Sequence, residues 1–319
     1  MTTETVIRVE NLVKDYRAGP SWWGRDTTRA LDGLDLEVRR GEVFGFLGPN
    51  GAGKTTTIRI LLDLLRPTTG TAEVFGVAPR DGGRDQRARI GYLPGELSLA
   101  GRSTAGDLLH HLARLRGGGA GRIAEYAERL TLDLTREMRD LSKGNRQKVG
   151  VVQAFMHAPE LLILDEPTSG LDPLLQREFQ EMVREACDAG ATVLMSSHVL
   201  SEVELAATRV AIIRAGRIVD VDDVATLRHR AGQQVEFVFA EPVAAKTFAG
   251  IDGVEEVEVD GSTLRCLLRG EPDALLRAAT TYRVVRWSAQ DRELEDLFID
   301  FYRVPADQVR AHEETADGR

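Results

Sequence analysis

Between the apolar run Val43-Phe44-Gly45-Phe46-Leu47 and the amphipathic stretch Ile58-Arg59-Ile60-Leu61-Leu62 lie Gly48, Pro49, Asn50, Gly51, Ala52, Gly53, Lys54, Thr55 and Thr56. The spacing G-x-x-x-x-G-K-[ST] puts glycines where a backbone must come close to a polyphosphate. Consecutive N–H groups and a helix N-terminus then face the anion. In such a loop Lys54 reaches the β- and γ-phosphates, and the Thr55 hydroxyl holds a Mg²⁺ that bridges them. A second chemical element follows later in the chain, where Leu161-Leu162-Ile163-Leu164 ends in Asp165-Glu166. A strand buried on both faces delivers acids in this way to the edge of a parallel sheet, beside the phosphate site. Asp165 is suited to bind Mg²⁺ through water, and Glu166, one step further out, to orient and deprotonate an attacking water.

The elements that must position these groups follow from the pattern around them. Strands are expected over Thr5 to Tyr16 and Leu34 to Val38, separated by Gly19-Pro20-Ser21-Trp22-Trp23-Gly24. The paired tryptophans either fold back onto the sheet as a hairpin loop or meet a membrane interface or a partner. After the helix that follows the phosphate loop come the turn Pro67-Thr68-Thr69-Gly70, a strand near Ala72 to Phe75, and a strand Arg89-Ile90-Gly91-Tyr92-Leu93 stopped by Pro94. Helices are expected over Thr104 to Arg116 and Ile123 to Leu132, joined by a glycine-rich connection, and again over Pro173 to Ala186. A strand from Thr192 to Met195 runs into Ser196-Ser197-His198, and strands at Val210 to Arg214 and Arg217 to Val221 complete an α/β domain.

A polar stretch, Arg228 to Gln234, marks the boundary with a smaller domain. There the reading is strand Val235 to Phe239, helix Val243 to Ala249, strands Val254 to Val259 and Thr263 to Leu268, helix Pro272 to Ala279, strand Arg283 to Trp287 and helix Glu293 to Tyr302. That order, βαββαβα, is an α+β split βαβ, or ferredoxin-like, sandwich. The expected domains are residues 1–230, with a helical part at about 95–160, then 234–304, and a disordered tail over 305–319.

Composition narrows the function classes. With 42% hydrophobic and 29% charged residues the chain is an ordinary globular one, and it has no apolar run of the roughly 20 residues that a membrane-spanning helix needs. A formal charge of −9 argues against nucleic acid as a partner. Cys187 and Cys266 have neither metal-ligand nor disulfide spacing, and the N-terminus has no signal-peptide pattern, so a reducing cytoplasm fits.

These motifs, taken with three more, carry a family resemblance. Leu141-Ser142-Lys143-Gly144-Asn145 resembles the signature motif of ATP-binding cassette (ABC) transporters, Ser169-Gly170-Leu171-Asp172 resembles their D-loop, and His198 stands where their switch histidine does. Order and spacing agree with the family from about Val6 to Val221. The resemblance implies a P-loop NTPase cassette, with a parallel-sheet core, an antiparallel β subdomain and a helical subdomain. It also implies ATP as ligand and a head-to-tail homodimer, each ATP lying between the phosphate loop of one chain and Ser142 and Gly144 of the other. His198 would sense the γ-phosphate, Asp172 would couple the two sites, and Tyr16 matches the aromatic that stacks on adenine.

Two departures stand out. The family's usual glutamine after the strand at Arg89 to Leu93 is replaced by Pro94-Gly95-Glu96, so that either Glu96 substitutes as a metal-side acceptor or Gly95 leaves that position open. Lys143 replaces a usual glycine, and either strengthens anion binding or points to solvent. The general pattern, including Ile90-Gly91-Tyr92-Leu93-Pro94 and the closing Leu294-Glu295-Asp296-Leu297-Phe298, resembles the ATPase subunits of bacterial and archaeal drug, antibiotic or lipid exporters, which implies a place at the cytoplasmic face of the membrane and a separate polytopic permease as partner. An importer subunit is the alternative, and a soluble cassette protein acting on ribosomes or DNA is the alternative from another class. The permease is expected to face roughly Gly95 to Leu112, with some of Leu97, Leu99, Leu108 and Leu109 exposed.

Overall fold

The computed structural model describes residues 4–18, 26–97 and 101–292. Trp22, Trp23, Leu99, the helix expected over 293–302 and the tail over 305–319 lie outside the described residues. The chain divides into two compact units, Met1–Val221 and Asp222–Arg319.

In chain order the first unit contains β1 (Thr5–Ala18), β2 (Asp26–Arg39), β3 (Val43–Leu47), α1 (Lys54–Leu61), β4 (Thr69–Val74), α2 (Gly83–Ala88), β5 (Ile90–Leu93), α3 (Ala105–Arg116), α4 (Ile123–Arg129), α5 (Lys143–Phe155), β6 (Leu161–Asp165), α6 (Pro173–Asp188), β7 (Thr192–Ser197), α7 (Leu200–Glu204), β8 (Arg209–Arg214) and β9 (Arg217–Asp223). The strands make two sheets, one of order β2-β1-β4 and one of order β5-β6-β7-β3-β8-β9. The first is antiparallel, with Ile7 opposite both Val38 and Val74. In the second, β5, β6, β7, β3 and β8 run parallel. Strands β3, β6 and β7 are buried along their whole length, which is why they read as apolar runs without alternation. One core joins the layers. Leu12, Leu31 and Leu34 of the antiparallel sheet pack with Ile58 and Leu61 of α1 and with Phe44, Phe46, Ile163 and Leu194 of the parallel sheet.

The helical part is held to the core by aromatic edges. Phe155 on α5 meets Tyr126 on α4 and Phe179 on α6 in T-shaped pairs, each with ring centroids 6.1 Å apart. Of the leucines expected to face a permease, Leu109 is fully buried in α3, while Leu97 and Leu108 are half-buried. Leu109 sits on the inner stripe of its helix with Ala105 and Ala113, which removes it from any outer surface.

The second unit contains α8 (Val224–Ala231), β10 (Gln233–Phe239), β11 (Val254–Asp260), β12 (Thr263–Leu268), α9 (Asp273–Ala279) and β13 (Val284–Asp291). Its antiparallel sheet has the order β11-β12-β10-β13, that of a split βαβ sandwich, around Phe237, Phe239, Phe248, Leu264 and Leu275. One expected element is corrected. The helix placed at Val243 to Ala249 is a single 3-10 turn over Ala245–Thr247. One turn there suffices to bury Phe248 in the core of the sheet.

Candidate functional site

The phosphate loop leaves the buried end of β3 and enters α1 through Gly53, whose φ of 117° lies in the region that side chains rarely adopt. Lys54 begins that helix and is only 5% exposed. Its ammonium donates to Gly48 O at 2.5 Å and Pro49 O at 3.4 Å, and stands 3.3 Å from Glu166 Oε1. Backbone bonds tie the loop to its neighbours: Gly48 N–H donates to Ser197 O, Ala52 N–H to Pro49 O, and Gly216 N–H to Ala52 O. Asn50 and Gly51 are exposed or nearly so at the loop's outer turn.

Strand β6 lies next to β7 and carries the acids to the same edge. Asp165 is buried, and each of its oxygens has a partner: Oδ2 accepts from Thr55 Oγ1 at 2.9 Å and Oδ1 from Ser196 Oγ at 2.5 Å. Glu166 follows with φ of 50°, a left-handed backbone unusual for a residue with a side chain. Its N–H donates to Ser196 O at 3.1 Å and Ser196 Oγ at 3.2 Å, and its Oε2 is 2.6 Å from His198 Nδ1. Lys54, Glu166 and His198 therefore form one continuous chain of contacts.

The cleft around them has a volume of about 430 Å³, and its lining includes Asn50, Thr55, Glu96, Asp165, Glu166 and His198. Gly95 and Glu96 both lie on it, and a Cβ at Gly95 would come within 3.6 Å of Asp165 Oδ2. Tyr92 lies on it too, its phenol pushed up by burial and by the Asp165 carboxylate. Among the described residues no group of three or more His, Cys, Asp or Glu is arranged to hold a metal. The adjacent Thr55 hydroxyl and Asp165 carboxylate fit Mg²⁺, which binds through one or two protein oxygens and otherwise through substrate phosphates and water.

Ser142, Lys143, Gly144 and Asp172 do not line this cleft. They gather at a second place, where α5 and α6 begin. Ser142 caps α5, accepting from Asn145 N–H, and Asp172 caps α6, accepting from Leu174 N–H and Leu175 N–H at 3.1 Å each. Lys143 Nζ donates to Ser169 Oγ at 3.3 Å. A Cβ on Gly144 would lie 2.6 Å from Gly170 O, so the two segments approach as closely as backbone allows. Ser169 belongs to both places, because it also lines the cleft. Tyr16 is 37% exposed, with its hydroxyl 3.4 Å from Thr56 Oγ1 and Lys14 Nζ 5.4 Å from its ring centre.

Three contributors escaped the sequence reading: Ser196, Ser169 as the shared residue, and Gln147. Gln147 is 2% exposed on α5, and its Nε2 donates to Pro167 O at 3.0 Å and Glu166 O at 3.4 Å. For Ser196 a signal was available, since a hydroxyl ending an otherwise apolar strand beside β6 falls at the edge where ligands bind in parallel sheets.

Residues 31–169 match the ABC transporter family. The chain is 33% identical to the bacitracin transport ATP-binding protein BcrA of Enterococcus faecalis, over 83% of this chain and 85% of that one. It is 34% identical to the Nod factor export ATP-binding protein I of Cupriavidus metallidurans, over 84% of this chain and 91% of that one. With the daunorubicin/doxorubicin resistance ATP-binding protein DrrA of Streptomyces peucetius the identity is 37%, over 72% of this chain and 68% of that one. Among solved structures, the ATP-binding subunit of an ABC transporter superposes with a TM-score of 0.63 at 29% identity, covering 70% of this chain and 92% of that one. Relatives above 30% identity that span most of both sequences, on a shared cassette fold, lead to one conclusion: the chain belongs to the ABC transporter family as an ATP-binding, ATP-hydrolysing subunit.

Proposed function

We propose that this ATPase powers export through a separate membrane permease, and that Lys54, Thr55, Asp165, Glu166 and His198 carry the hydrolysis. The observation that supports the site most strongly is the contact chain in the cleft, with Lys54 Nζ 3.3 Å from Glu166 and Glu166 2.6 Å from His198. The loop N–H groups and Lys54 take the phosphates of ATP, and Tyr16 stacks on the adenine. Glu166 accepts a proton from a water whose oxygen attacks the γ-phosphorus. The bond from that phosphorus to the β–γ bridging oxygen breaks, and ADP leaves with its electron pair. Thr55 and Asp165, with Glu96 at the cleft's rim, would hold Mg²⁺, which supplies charge neutralisation at the bridging oxygen. His198, bonded to the base, senses the γ-phosphate.

Ser142, Lys143 and Gly144 serve the cleft of a second copy in a head-to-tail dimer. Their place at the N-terminus of α5 supports this, since a helix start presents N–H donors and a positive dipole end to an anion. Asp172 couples the two sites. The first compact unit is the cassette and the second is the smaller domain.

Export is favoured over import by the relatives, which are named for bacitracin transport, daunorubicin and doxorubicin resistance, and Nod factor export. The subunit then works at the cytoplasmic face of the membrane. The deciding experiment is Glu166→Gln, which keeps the side chain's size and an acceptor but removes the base. ATP should still bind, turnover should fall by about 10²–10⁴-fold, and a dimer should accumulate with Mg-ATP. Unchanged turnover with only monomer in chromatography would remove Glu166 from the proposed role.

A further inference from the structure

Glu166 holds a backbone conformation that two local rules oppose. Its φ of 50° is left-handed, which side chains disfavour, and it precedes Pro167, whose ring pushes the preceding residue toward extended geometry. Such a conformation persists only where the surroundings over-determine it. On the N–H side Ser196 provides the hold, through its carbonyl and its hydroxyl. On the carbonyl side the local turn supplies one bond, from Ser169 N–H to Glu166 O at 3.2 Å. Pro167 has no N–H to add another.

The remaining hold comes from across the fold. Gln147 on α5 is 2% exposed, and its amide Nε2 donates to Pro167 O at 3.0 Å and to Glu166 O at 3.4 Å. Two consecutive carbonyls are thus fixed by one buried side chain. The turn just beyond is pressed against the same helix, with Lys143 Nζ on Ser169 Oγ and Gly144 against Gly170 O. Cβ of Glu166 leaves the backbone in a direction set by these carbonyl bonds. From that direction one carboxylate reaches Lys54 and His198 together.

We infer that Gln147 is a positioning residue for hydrolysis: by bonding the carbonyls of Glu166 and Pro167 it aims the Glu166 carboxylate at the reacting water. This rests on Glu166 being the base. It also links the two places described above, because the helix that holds the base is the one that starts at Ser142.

The test uses the full chain and Gln147→Leu, which keeps volume and removes both donors. Nucleotide contacts are untouched, so the dissociation constant for ATP should stay within about 2-fold while kcat falls by about 10- to 100-fold, the scale of a small misplacement of a catalytic group. Added to Glu166→Gln, the same substitution should cause no further loss in single-turnover hydrolysis, since there is no base left to misplace. A folded Gln147→Leu with kcat within about 2-fold of wild type, or a loss that multiplies with that of Glu166→Gln, would overturn the inference while leaving the base in place. Wild-type turnover by Glu166→Gln alone would remove the base, and this inference with it. Should the leucine variant not fold, Gln147→Met, which preserves chain length, carries the same measurements. Failure of both to fold would make Gln147 a structural residue and also overturn the inference.

Discussion

Replacing Ser196 with alanine deletes one hydroxyl from the floor of the cleft. That hydroxyl is fully buried and donates to Asp165 Oδ1 at 2.5 Å. It also accepts from Glu166 N–H, but that donor keeps Ser196 O at 3.1 Å and stays satisfied. Asp165 Oδ2 likewise keeps Thr55 Oγ1. The net change is one buried hydrogen bond to a carboxylate, worth about 1.5–3 kcal/mol, with too small a volume change to add a cavity of consequence. For a unit of this size each kcal/mol moves the melting temperature by about 2–4 °C, so a drop of about 3–12 °C is expected in calorimetry at neutral pH. Ser197→Ala is the control. Its hydroxyl bonds Glu202 and Val199 N–H away from the cleft's acids, and its loss should leave ATP hydrolysis near wild type. A shift below about 1 °C for Ser196→Ala would refute the reasoning, since it would mean that Asp165 needs no internal donor besides Thr55.

Lys54→Ala should abolish tight ATP binding in equilibrium titration, because it removes the buried ammonium that the loop offers to the phosphates; near wild-type affinity would contradict the loop's assignment. Gly144→Ala should weaken the approach of α5 to the turn at Gly170, where the added Cβ would stand 2.6 Å from a backbone oxygen, and a melting temperature equal to wild type would show that the turn yields freely. His157 has its pKa pushed down to about 4 by ring burial and by the Arg116 guanidinium, which lies 2.7 Å from Nε2. The folded ring is neutral where the unfolded ring takes up a proton, so its contribution is complete above about pH 6.5 and is lost as pH falls from 6.5 to 4. The full shift corresponds to about 3 kcal/mol, or about 1–2 kcal/mol after discounting for partial exposure. His157→Gln should therefore flatten the melting temperature between pH 7 and pH 5, and an unchanged pH profile would dismiss this account.

The phosphate loop was legible from residues alone because its function is a backbone requirement met by neighbours in sequence. Glycine spacing, a lysine and a hydroxyl at a helix start need no distant partner to be recognised. The same holds for the apolar run that ends in Asp165 and Glu166, since burial on both faces of a parallel strand leaves its mark on every residue of β6. Ser142 and Asp172 were found by resemblance, and the structure adds that both cap helices, a local role their residue types permit.

What only the tertiary structure decided is how these pieces are held. The bond of Ser196 to Asp165, the hold of Gln147 on the carbonyls after β6 and the left-handed backbone of Glu166 all join segments far apart in the chain. No periodicity records them, because each depends on where a side chain arrives after strands and helices have packed. The misplaced helix at Val243 to Ala249 has the same origin: its composition allows a helix, but the packing of Phe248 into the core of the sheet is met by a single turn. Leu109 follows suit, apolar in sequence like Leu97 and Leu108, and assigned to the interior only when α3 found its neighbours. Local chemistry is written in residue types and spacing, whereas the direction in which that chemistry points is a product of packing between elements.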